Sequence, residues 1–240
     1  MKILVVNDDG IFAPGIKQLA EVAIKFGEVW VVAPDRQCSA MSHRITILSD
    51  LIVRKNNFPV KEVRAYSVSG TPADCVKIAL QYILPEKPDY IFSGINNGYN
   101  MGLDILYSGT VGAAMEGLIQ GIPGIAFSQK AECDHNLSNF YIYEIIKDLL
   151  QQEKLLDSIW NVNFPGCNIS DCKGILKDRV PAKSQYYLDS YVKKSETEGE
   201  IIITARGIPT LQTVYGTDME AIKNNYISIG KIRNTILNPI

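Results

Sequence analysis

The stretch that decides the fold is ILVVNDDGIFAPGIKQLAEVAIKFGEVWVVA, residues 3–33. It opens with an apolar, β-branched run at 3–7, which is typical of a strand buried on both faces of a parallel sheet. Apolar residues then recur at helical spacing, which predicts an amphipathic helix from about Pro14 to Gly27. The run EVWVVA at 28–33 completes a strand–helix–strand unit, whose crossover we expect to be right-handed.

The same alternation continues as far as Pro165. Further strands are predicted at 62–68, 89–94, 122–128 and 158–164. Further helices are predicted at 72–84, 110–120 and 137–152. Strands that alternate with helices of this length predict an α/β fold with a doubly wound, mostly parallel, Rossmann-like sheet. A chain of 240 residues fits one domain, 1–240, with its core at about 1–170.

The chain changes character after Pro165. Residues 171–198 are polar and helix-poor, and EIIITARG at 200–207 reads as a strand. We interpret about 171–215 as a protruding β-hairpin arm. Because a thin arm cannot bury its apolar side alone, we expect a partner subunit to cover it, the alternative being a floppy insertion.

Composition excludes several classes of protein. The net charge of −2 and the pI near 5.8 predict no affinity for nucleic-acid polymers or anionic membranes. The apolar runs are shorter than the roughly 20 residues that span a bilayer, and the first strand is too short for a signal peptide, so we expect a cytoplasmic protein. Five cysteines without a CxxC pair argue against a zinc site or a disulfide framework.

Two adjacent carboxylates, Asp8 and Asp9, follow the first predicted strand. Neighbouring side chains of a strand point to opposite faces, so both carboxylates meet one ligand only where the chain turns. Gly10 allows such a turn. The pair is therefore either a solvated turn or the carboxylate half of a cation site.

The loops that follow the predicted strands have a common composition. Gly, Ser, Thr, Asn and Asp dominate 34–43, 69–74, 93–100 and 107–112. Ligands of open α/β sheets bind beyond the carboxyl ends of the strands, so we expect these loops to form one site. Carboxylate, hydroxyl and amide oxygens suit a hard cation such as Mg²⁺ or Mn²⁺.

The segment SGT at 108–110 has the chemistry of an anion site. It offers two hydroxyls and a glycine at the predicted start of a helix, where unpaired N–H groups point outward. No Lys or Arg occurs in 88–129, so a metal ion and backbone amides would hold most of the charge of a phosphate. Arg36 and Lys77 are the nearest basic candidates on other loops.

Several of these residues have ordinary structural readings as well. Asn96 begins a common Asn-Asn-Gly turn, and Ser39 is one of many serines. His43 is as readily a satisfied structural histidine, and Asp104 can cap or solvate a loop. GxSxG, GxGxxG and the P-loop are absent, and Asn7 stands where a haloacid-dehalogenase-type phosphatase would place its nucleophilic Asp.

Seven motifs occur in one order along nearly the whole chain: ILVVNDDGIFAPGIKQLAE, VVAPDRQCSA, SGTPADCVKIAL, PDYIFSGINNGYNMG, YSGTVGAAMEG, NVNFP and GTDMEAIKNNYISI. Together they resemble the SurE family, survival protein E, a family of stationary-phase survival phosphatases. The combination of NDDG, APG and YSGTVGAA is a specific signature rather than a generic feature of the fold.

The resemblance implies a divalent-metal-dependent nucleotidase that hydrolyses nucleoside 5′-monophosphates, often 3′-monophosphates, and sometimes short polyphosphate. It implies one metal ion per subunit, with Mg or Mn expected. It also implies a cytoplasmic homodimer or homotetramer, in which the arm and the C-terminal segment, 216–240, are exchanged between subunits.

The resemblance assigns roles to individual positions. The implied metal ligands are Asp8, Asp9, Ser39 and Asn96. The implied phosphate- and substrate-binding residues are Asn7, Asn96, Asn100, Ser108, Gly109 and Thr110. The implied catalytic residues are Asp8, Asp9 and Asp104, and an acid–base role has been suggested for the position of Asp104.

Two departures from the family pattern stand out. Many members read PDRNRSG where this chain has PDRQCSA, so Cys38 replaces a basic residue, a change expected to alter substrate range. KNNY stands where Asn-Gly is usual, and Asn tolerates the left-handed conformation of such a turn. Two other functions are weighed against the nucleotidase: a non-catalytic metal- and nucleotide-binding regulatory module, and a phosphatase with a covalent intermediate.

Overall fold

The computed structural model describes residues 1–210 and 213–237, with a nine-stranded sheet at the centre. The helices and strands, in chain order, are β1 (Lys2–Val6), α1 (Pro14–Ala23), β2 (Glu28–Pro34), β3 (Val53–Asn56), β4 (Arg64–Val68), α2 (Pro72–Ile78), β5 (Tyr90–Asn97), α3 (Gly109–Ile119), β6 (Gly124–Gln129), α4 (Asn136–Leu150), β7 (Ser158–Phe164), β8 (Ile175–Arg179), β9 (Tyr187–Thr197), β10 (Glu200–Pro209), α5 (Asp218–Lys223) and β11 (Ile227–Arg233). Within the described ranges, none of the helices is both long and apolar enough to cross a membrane.

The strand order confirms the predicted doubly wound α/β fold. The order is β3-β4-β2-β1-β5-β6-β7-β11-β8, and the six strands from β4 to β7 are parallel. The chain builds outward from β1 through β2 to β4, and then returns to start β5 on the other side of β1. The point between β1 and β5 is therefore the topological switch point, where such sheets bind ligands.

Both faces of the parallel sheet are covered, as the apolar strands predict. In β1, Ile3 and Val5 pack into the core under α1 and α4, whereas Leu4 and Val6 face the core under α2 and α3. All four side chains are fully buried. This alternation follows from the two-residue period of a strand.

The structure adds strands that the sequence pattern did not indicate. β3 is a short, mostly exposed edge strand antiparallel to β4, and it lacks the apolar run used to detect the others. β11 pairs antiparallel with β7, and β8 pairs parallel with β11. The helix expected over 72–84 ends as an α-helix at Ile78 and continues as a π-helical turn, Ala79–Ile83.

The arm is a two-stranded antiparallel hairpin formed by β9 and β10. It starts later than the expected residue 171, because β8 belongs to the main sheet. Large apolar side chains of the hairpin are exposed, namely Tyr191, Ile201, Ile203 and Ile208. The expected arm and C-terminal segment also include 211–212 and 238–240, which lie outside the described residues.

Candidate functional site

The site lies at the switch point between β1 and β5. These strands pair in parallel register, with Val6 beside Ser93, so both chains leave the sheet at the same edge. Asp8 and Asp9 follow β1, whereas Asn96 lies at the end of β5. The sheet therefore brings together residues that are almost ninety positions apart in the chain.

Asp8 is a buried carboxylate, with 5% of its surface exposed. Its Oδ1 accepts a hydrogen bond of 2.7 Å from Oγ1 of Thr110, and its backbone carbonyl accepts one of 2.7 Å from the N–H of Cys38. Burial, followed by the negative charge of Asp9, raises the pKa of Asp8 to about 7, against the opposing effect of the Thr110 hydrogen bond.

The first turn of α3 lies directly against Asp8. A Cβ added to Gly109 would stand 2.9 Å from Cβ of Asp8 and 3.1 Å from its Oδ2, so only glycine permits this close approach. The hydroxyl of Ser108 accepts a hydrogen bond of 3.1 Å from the N–H of Val111 and caps the helix. The predicted anion-binding segment 108–110 thus adjoins the carboxylate pair.

Asp9 and Asn96 are fixed by the turn that ends β5. Oδ2 of Asp9 accepts a hydrogen bond of 2.9 Å from the backbone N–H of Asn97. Burial raises the pKa of Asp9, and this hydrogen bond opposes the shift. Nδ2 of Asn96 donates to the carbonyl of Gly98 at 2.8 Å, which leaves the oxygen end of the amide for a cation.

Asn7 and Ser39 complete the predicted set on the neighbouring turns. Nδ2 of Asn7 donates to the carbonyl of Gly10 at 2.9 Å, and this bond closes the turn that carries both carboxylates. Oδ1 of Asn7 is buried and has no hydrogen-bond partner among the residues that the structure describes. Ser39 is exposed, and its Oγ accepts from Nε2 of Gln37 at 2.9 Å.

The donor set fits a hard divalent cation. Across 1–210 and 213–237, neither Asp8, which is buried, nor Asp9, which is half-buried, forms an ion pair with Lys or Arg. The same described ranges contain no group of three His, Cys, Asp or Glu side chains placed to hold a metal. A cation bound to this carboxylate pair would therefore take its further ligands from neutral oxygens, and the side chains of Ser39 and Asn96 offer such oxygens on the neighbouring turns.

Asn100 is buried within a cluster of polar side chains. Its backbone carbonyl accepts from Nδ2 of Asn161 and of Asn163, and its Nδ2 donates to Ser128 at 2.8 Å. The structure thus gives Asn100 an anchoring role for the loop after β5. Sequence reasoning missed this amide cluster, although two asparagines at alternate positions of an apolar strand were a readable signal.

Asp104 is engaged with the arm. Its Oδ2 accepts hydrogen bonds from the backbone N–H of Tyr186 at 3.1 Å and of Tyr187 at 2.9 Å. Burial raises the pKa of Asp104, and these two hydrogen bonds oppose the shift. The carboxylate holds the base of the hairpin against the turn that precedes α3.

The two basic residues considered for phosphate binding have carboxylate partners. Nη1 of Arg36 lies 3.2 Å from Oδ1 of Asp35, and Nζ of Lys77 lies 3.4 Å from Oε1 of Glu116. Glu116 is 4% exposed and was not singled out from the sequence, although an acidic residue within the apolar stretch 111–119 was a detectable signal.

A cavity of about 420 Å³ opens beside Asp9. Pro14 and Ile95 supply apolar wall, and Gln37 and His135 supply polar edges. The cavity therefore combines apolar surface with hydrogen-bonding groups next to the carboxylate pair.

Comparisons with known proteins agree with this architecture. The family model described as Survival protein SurE matches residues 3–186. A Clostridium botulinum (strain Loch Maree / Type A3) protein named 5′-nucleotidase SurE is 38% identical over 242 residues, covering 99% of this chain and 95% of the relative. A protein of the same name from Alkaliphilus metalliredigens is 40% identical, covering 97% and 92%.

A solved structure is similar along almost its whole length. The crystal structure of the SurE protein from Aquifex aeolicus has a TM-score of 0.82 and 37% sequence identity, covering 97% of this chain and 93% of that one. The family match spans most of the chain, and the relatives are aligned end to end at 37–40% identity. This chain therefore belongs to the SurE family.

Proposed function

We propose that the protein is a divalent-metal-dependent 5′-nucleotidase, which releases phosphate from nucleoside 5′-monophosphates. The observation that supports this proposal is the contact between Asp8 and the first turn of α3, because a carboxylate suited to a cation then adjoins a helix terminus suited to an anion. The relatives named 5′-nucleotidase SurE support the same activity.

The oxygens of Asp8, Asp9, Ser39 and Asn96 would hold one metal ion, with Mg²⁺ or Mn²⁺ favoured by their hard donor atoms. When bound, the ion supplies Lewis acidity toward a phosphoryl oxygen and lowers the pKa of water. Two hydrogen bonds hold the carboxylates in place before an ion binds. The hydroxyl of Thr110 orients Asp8, and the backbone N–H of Asn97 orients Asp9.

The amides at the start of α3 bind the phosphoryl group. Gly109 permits its close approach, and Ser108 and Thr110 fix the first turn of the helix. Since Lys77 and Arg36 already have carboxylate partners, backbone N–H groups stabilise charge that grows on the phosphoryl oxygens. We assign Asn7 and Asn100 to shaping this pocket rather than to direct contact with phosphate.

The cavity beside Asp9 is the candidate place for the nucleoside. Its apolar wall suits a ring face, and Gln37 and His135 suit the polar edge of a base. Activity on 3′-monophosphates and on short polyphosphate is part of the proposal as a second range of substrates.

An acid–base role for Asp104 is also proposed, and its raised pKa supports that role. The exposed apolar residues of the hairpin support a homodimer or homotetramer in which a second copy covers the arm. A cytoplasmic location stays a prediction of the sequence.

The test is phosphate release from a panel of nucleoside monophosphates, with EDTA, Mg²⁺ or Mn²⁺ present. We expect wild-type protein to need the metal, and Asp8→Asn and Asp9→Asn to lose turnover while remaining folded. Asp148→Asn is the matched control, because that carboxylate lies on α4 and pairs with Lys177.

Near-wild-type turnover in Asp9→Asn would refute the metal assignment. Nucleotide binding without phosphate release would instead indicate a regulatory module, and a trapped phosphoenzyme would indicate covalent catalysis.

A further inference from the structure

The loop 39–46 carries Ser39 and runs past the start of α3. Two buried carboxylates on neighbouring helices hold this loop: Glu116 on α3, 4% exposed, and Asp74 on α2, 2% exposed. The proposed reaction uses neither of them. Buried carboxylates are costly unless they are fully hydrogen-bonded, so their partners indicate what they do.

Glu116 binds the loop through His43. Oε2 of Glu116 lies 2.9 Å from Nε2 of His43, and Oε1 accepts from Gln120 at 2.9 Å and faces Lys77 at 3.4 Å. Burial alone would raise the pKa of Glu116, but the hydrogen bonds from His43 and Gln120 outweigh it and lower the pKa. The carboxylate is therefore a charged acceptor for His43.

Asp74 binds the loop three residues further along. Its Oδ1 accepts from the backbone N–H of Thr46 at 2.9 Å, and its Oδ2 accepts from Oγ1 of Thr46 at 2.7 Å. Oδ2 also accepts from the N–H of Thr71, the residue that caps α2. The hydroxyl of Thr71 donates to the carbonyl of Arg44, which gives the loop one more attachment.

The middle of the loop contacts the turn that immediately precedes the proposed phosphate-binding segment, 108–110. The N–H of Ser42 donates to the carbonyl of Tyr107 at 2.9 Å, and Oγ of Ser42 donates to that of Leu106 at 2.7 Å. Ala40 and Ser42 have φ of 55° and 53°, a left-handed conformation that persists only where neighbouring contacts enforce it.

Apolar packing does not account for the path of this loop. Ile45 is 42% exposed, and the following Ile47 and Leu48 are 77% and 95% exposed. The loop is thus held by hydrogen bonds, of which those to Glu116 and Asp74 involve carboxylates, rather than by burial of its own side chains.

We infer that Glu116, acting through His43, and Asp74, acting through Thr46, are positioning residues that hold loop 39–46 so that the Ser39 hydroxyl stays at the cation site. The inference rests on the proposed function, because it needs Ser39 as a ligand. Outer partners that orient metal ligands in this way commonly change metal affinity by about 10–100-fold.

The test measures the Kd of Mn²⁺ for the metal-free full chain by titration calorimetry. His43 is varied rather than Glu116, because its side chain is one-third exposed and its loss leaves the helix core intact. His43→Leu removes the donor, His43→Gln keeps an N–H donor on a flexible side chain, and Glu144→Gln on α4 is a surface control.

We expect His43→Leu to raise the Kd by about tenfold, and His43→Gln and Glu144→Gln to stay within about threefold of wild type. We expect Ser39→Ala to weaken Mn²⁺ binding as well. The double variant that combines Ser39→Ala with His43→Leu should bind Mn²⁺ no more weakly than Ser39→Ala alone, since both changes remove the same ligand. Thr46→Val tests the Asp74 attachment independently and should also weaken binding.

Additive losses of Mn²⁺ affinity in the double variant would overturn the inference but not the proposed ligand set. Normal Mn²⁺ affinity in both His43→Leu and Thr46→Val would do the same. Unchanged affinity in Ser39→Ala would overturn both the inference and the proposed ligand set. Phosphate release by the wild type, measured in parallel, tests the proposed function separately.

Discussion

The hydroxyl of Thr110 donates a hydrogen bond of 2.7 Å to Oδ1 of Asp8, across a sequence separation of 102 residues. This bond joins the first turn of α3 to the turn after β1. It gives Thr110 a role that the sequence did not indicate, because the hydroxyl is directed at a carboxylate rather than at a phosphate. The bond fixes the rotamer of a candidate metal ligand.

Replacing Thr110 therefore tests the orientation of Asp8. We expect Thr110→Val to weaken Mn²⁺ binding by about 10–100-fold, because the carboxylate loses its orienting donor. Thr110→Ser keeps the hydroxyl and should bind nearly as well as wild type. Titration calorimetry on the metal-free protein measures both, and equal affinities in Thr110→Val and wild type would contradict this role.

Two glycines of α3, Gly109 and Gly117, differ in what an added Cβ would contact. Gly109→Ala adds a Cβ 2.9 Å from Cβ of Asp8, an atom next to the main chain that cannot rotate away, so we expect kcat/KM to fall by about 10–100-fold and Tm to fall with it. Gly117→Ala instead adds a methyl group against Ile91 in the core. Overpacking of about 1–3 kcal/mol there should exceed the helix-propensity gain of about 1 kcal/mol and lower Tm.

Phosphate release and thermal unfolding, measured on both glycine variants, check the predicted changes in kcat/KM and Tm. Gly117→Ala should keep kcat/KM near the wild-type value despite its lower Tm, and a loss of kcat/KM there as large as in Gly109→Ala would contradict the assignment of Gly109 to the site.

The pKa of Asp8 predicts a pH dependence of metal stabilisation. In the metal-free fold this pKa is raised from 3.8 to about 7, so the folded chain holds a proton that the unfolded chain releases in that window. The stability of the metal-free protein should therefore decline as pH rises from about 4 to 7. A divalent cation competes with that proton, so binding strengthens over the same range.

We accordingly expect a fixed excess of Mn²⁺ to raise Tm more at pH 8 than at pH 5.5. The Asp8→Asn variant has no carboxyl group to titrate at this position. We expect Mn²⁺ to change its Tm only slightly at both pH values. Differential scanning calorimetry is the measurement, and a larger shift at pH 5.5 than at pH 8 would refute the argument.

Asp104 provides a test of the arm. We expect Asp104→Ala to speed amide exchange at Tyr186 and Tyr187 by about tenfold, because both N–H groups lose a charged acceptor. Glu196→Ala, further along the hairpin and paired with Lys193, is a control that should leave those two amides unchanged. Hydrogen exchange read by NMR or mass spectrometry is the measurement, and unchanged exchange in Asp104→Ala would contradict the assignment.

The pH profile of kcat in the same Asp104 variant tests the proposed acid–base role. Loss of one limb of the pH profile of kcat would support the acid–base role of Asp104. An unchanged profile would contradict that role.

Much of the fold was predictable because it depends on local periodicity. The apolar runs at 3–7 and 28–33 and the helical spacing between them identify β1, α1 and β2 within a few residues. β3 and β11 were not predicted. β3 is a short edge strand with exposed side chains, and β11 joins the sheet through antiparallel pairing with β7 rather than through the repeating unit.

Of the candidate site, the sequence indicated the residue types and the tertiary structure decided their partners. The residues themselves indicated Asp8 and Asp9 as a candidate half of a cation site, and the resemblance implied a ligand set of Asp8, Asp9, Ser39 and Asn96. The partners of Asp104, Glu116 and Asp74 were not readable, because each contact joins elements that the chain does not place next to each other.

The sequence by itself determined the alternation of strands and helices, the sheet edge at which the candidate site lies, and the oxygen-rich chemistry of its loops. Those properties are set by short-range patterns of apolar and polar residues and by the residue types at strand ends. Only the tertiary structure decided that β5 lies beside β1, which brings Asp9 to Asn97 and Asp8 to Thr110. Strand order depends on packing between distant segments, and no local pattern in the chain records it.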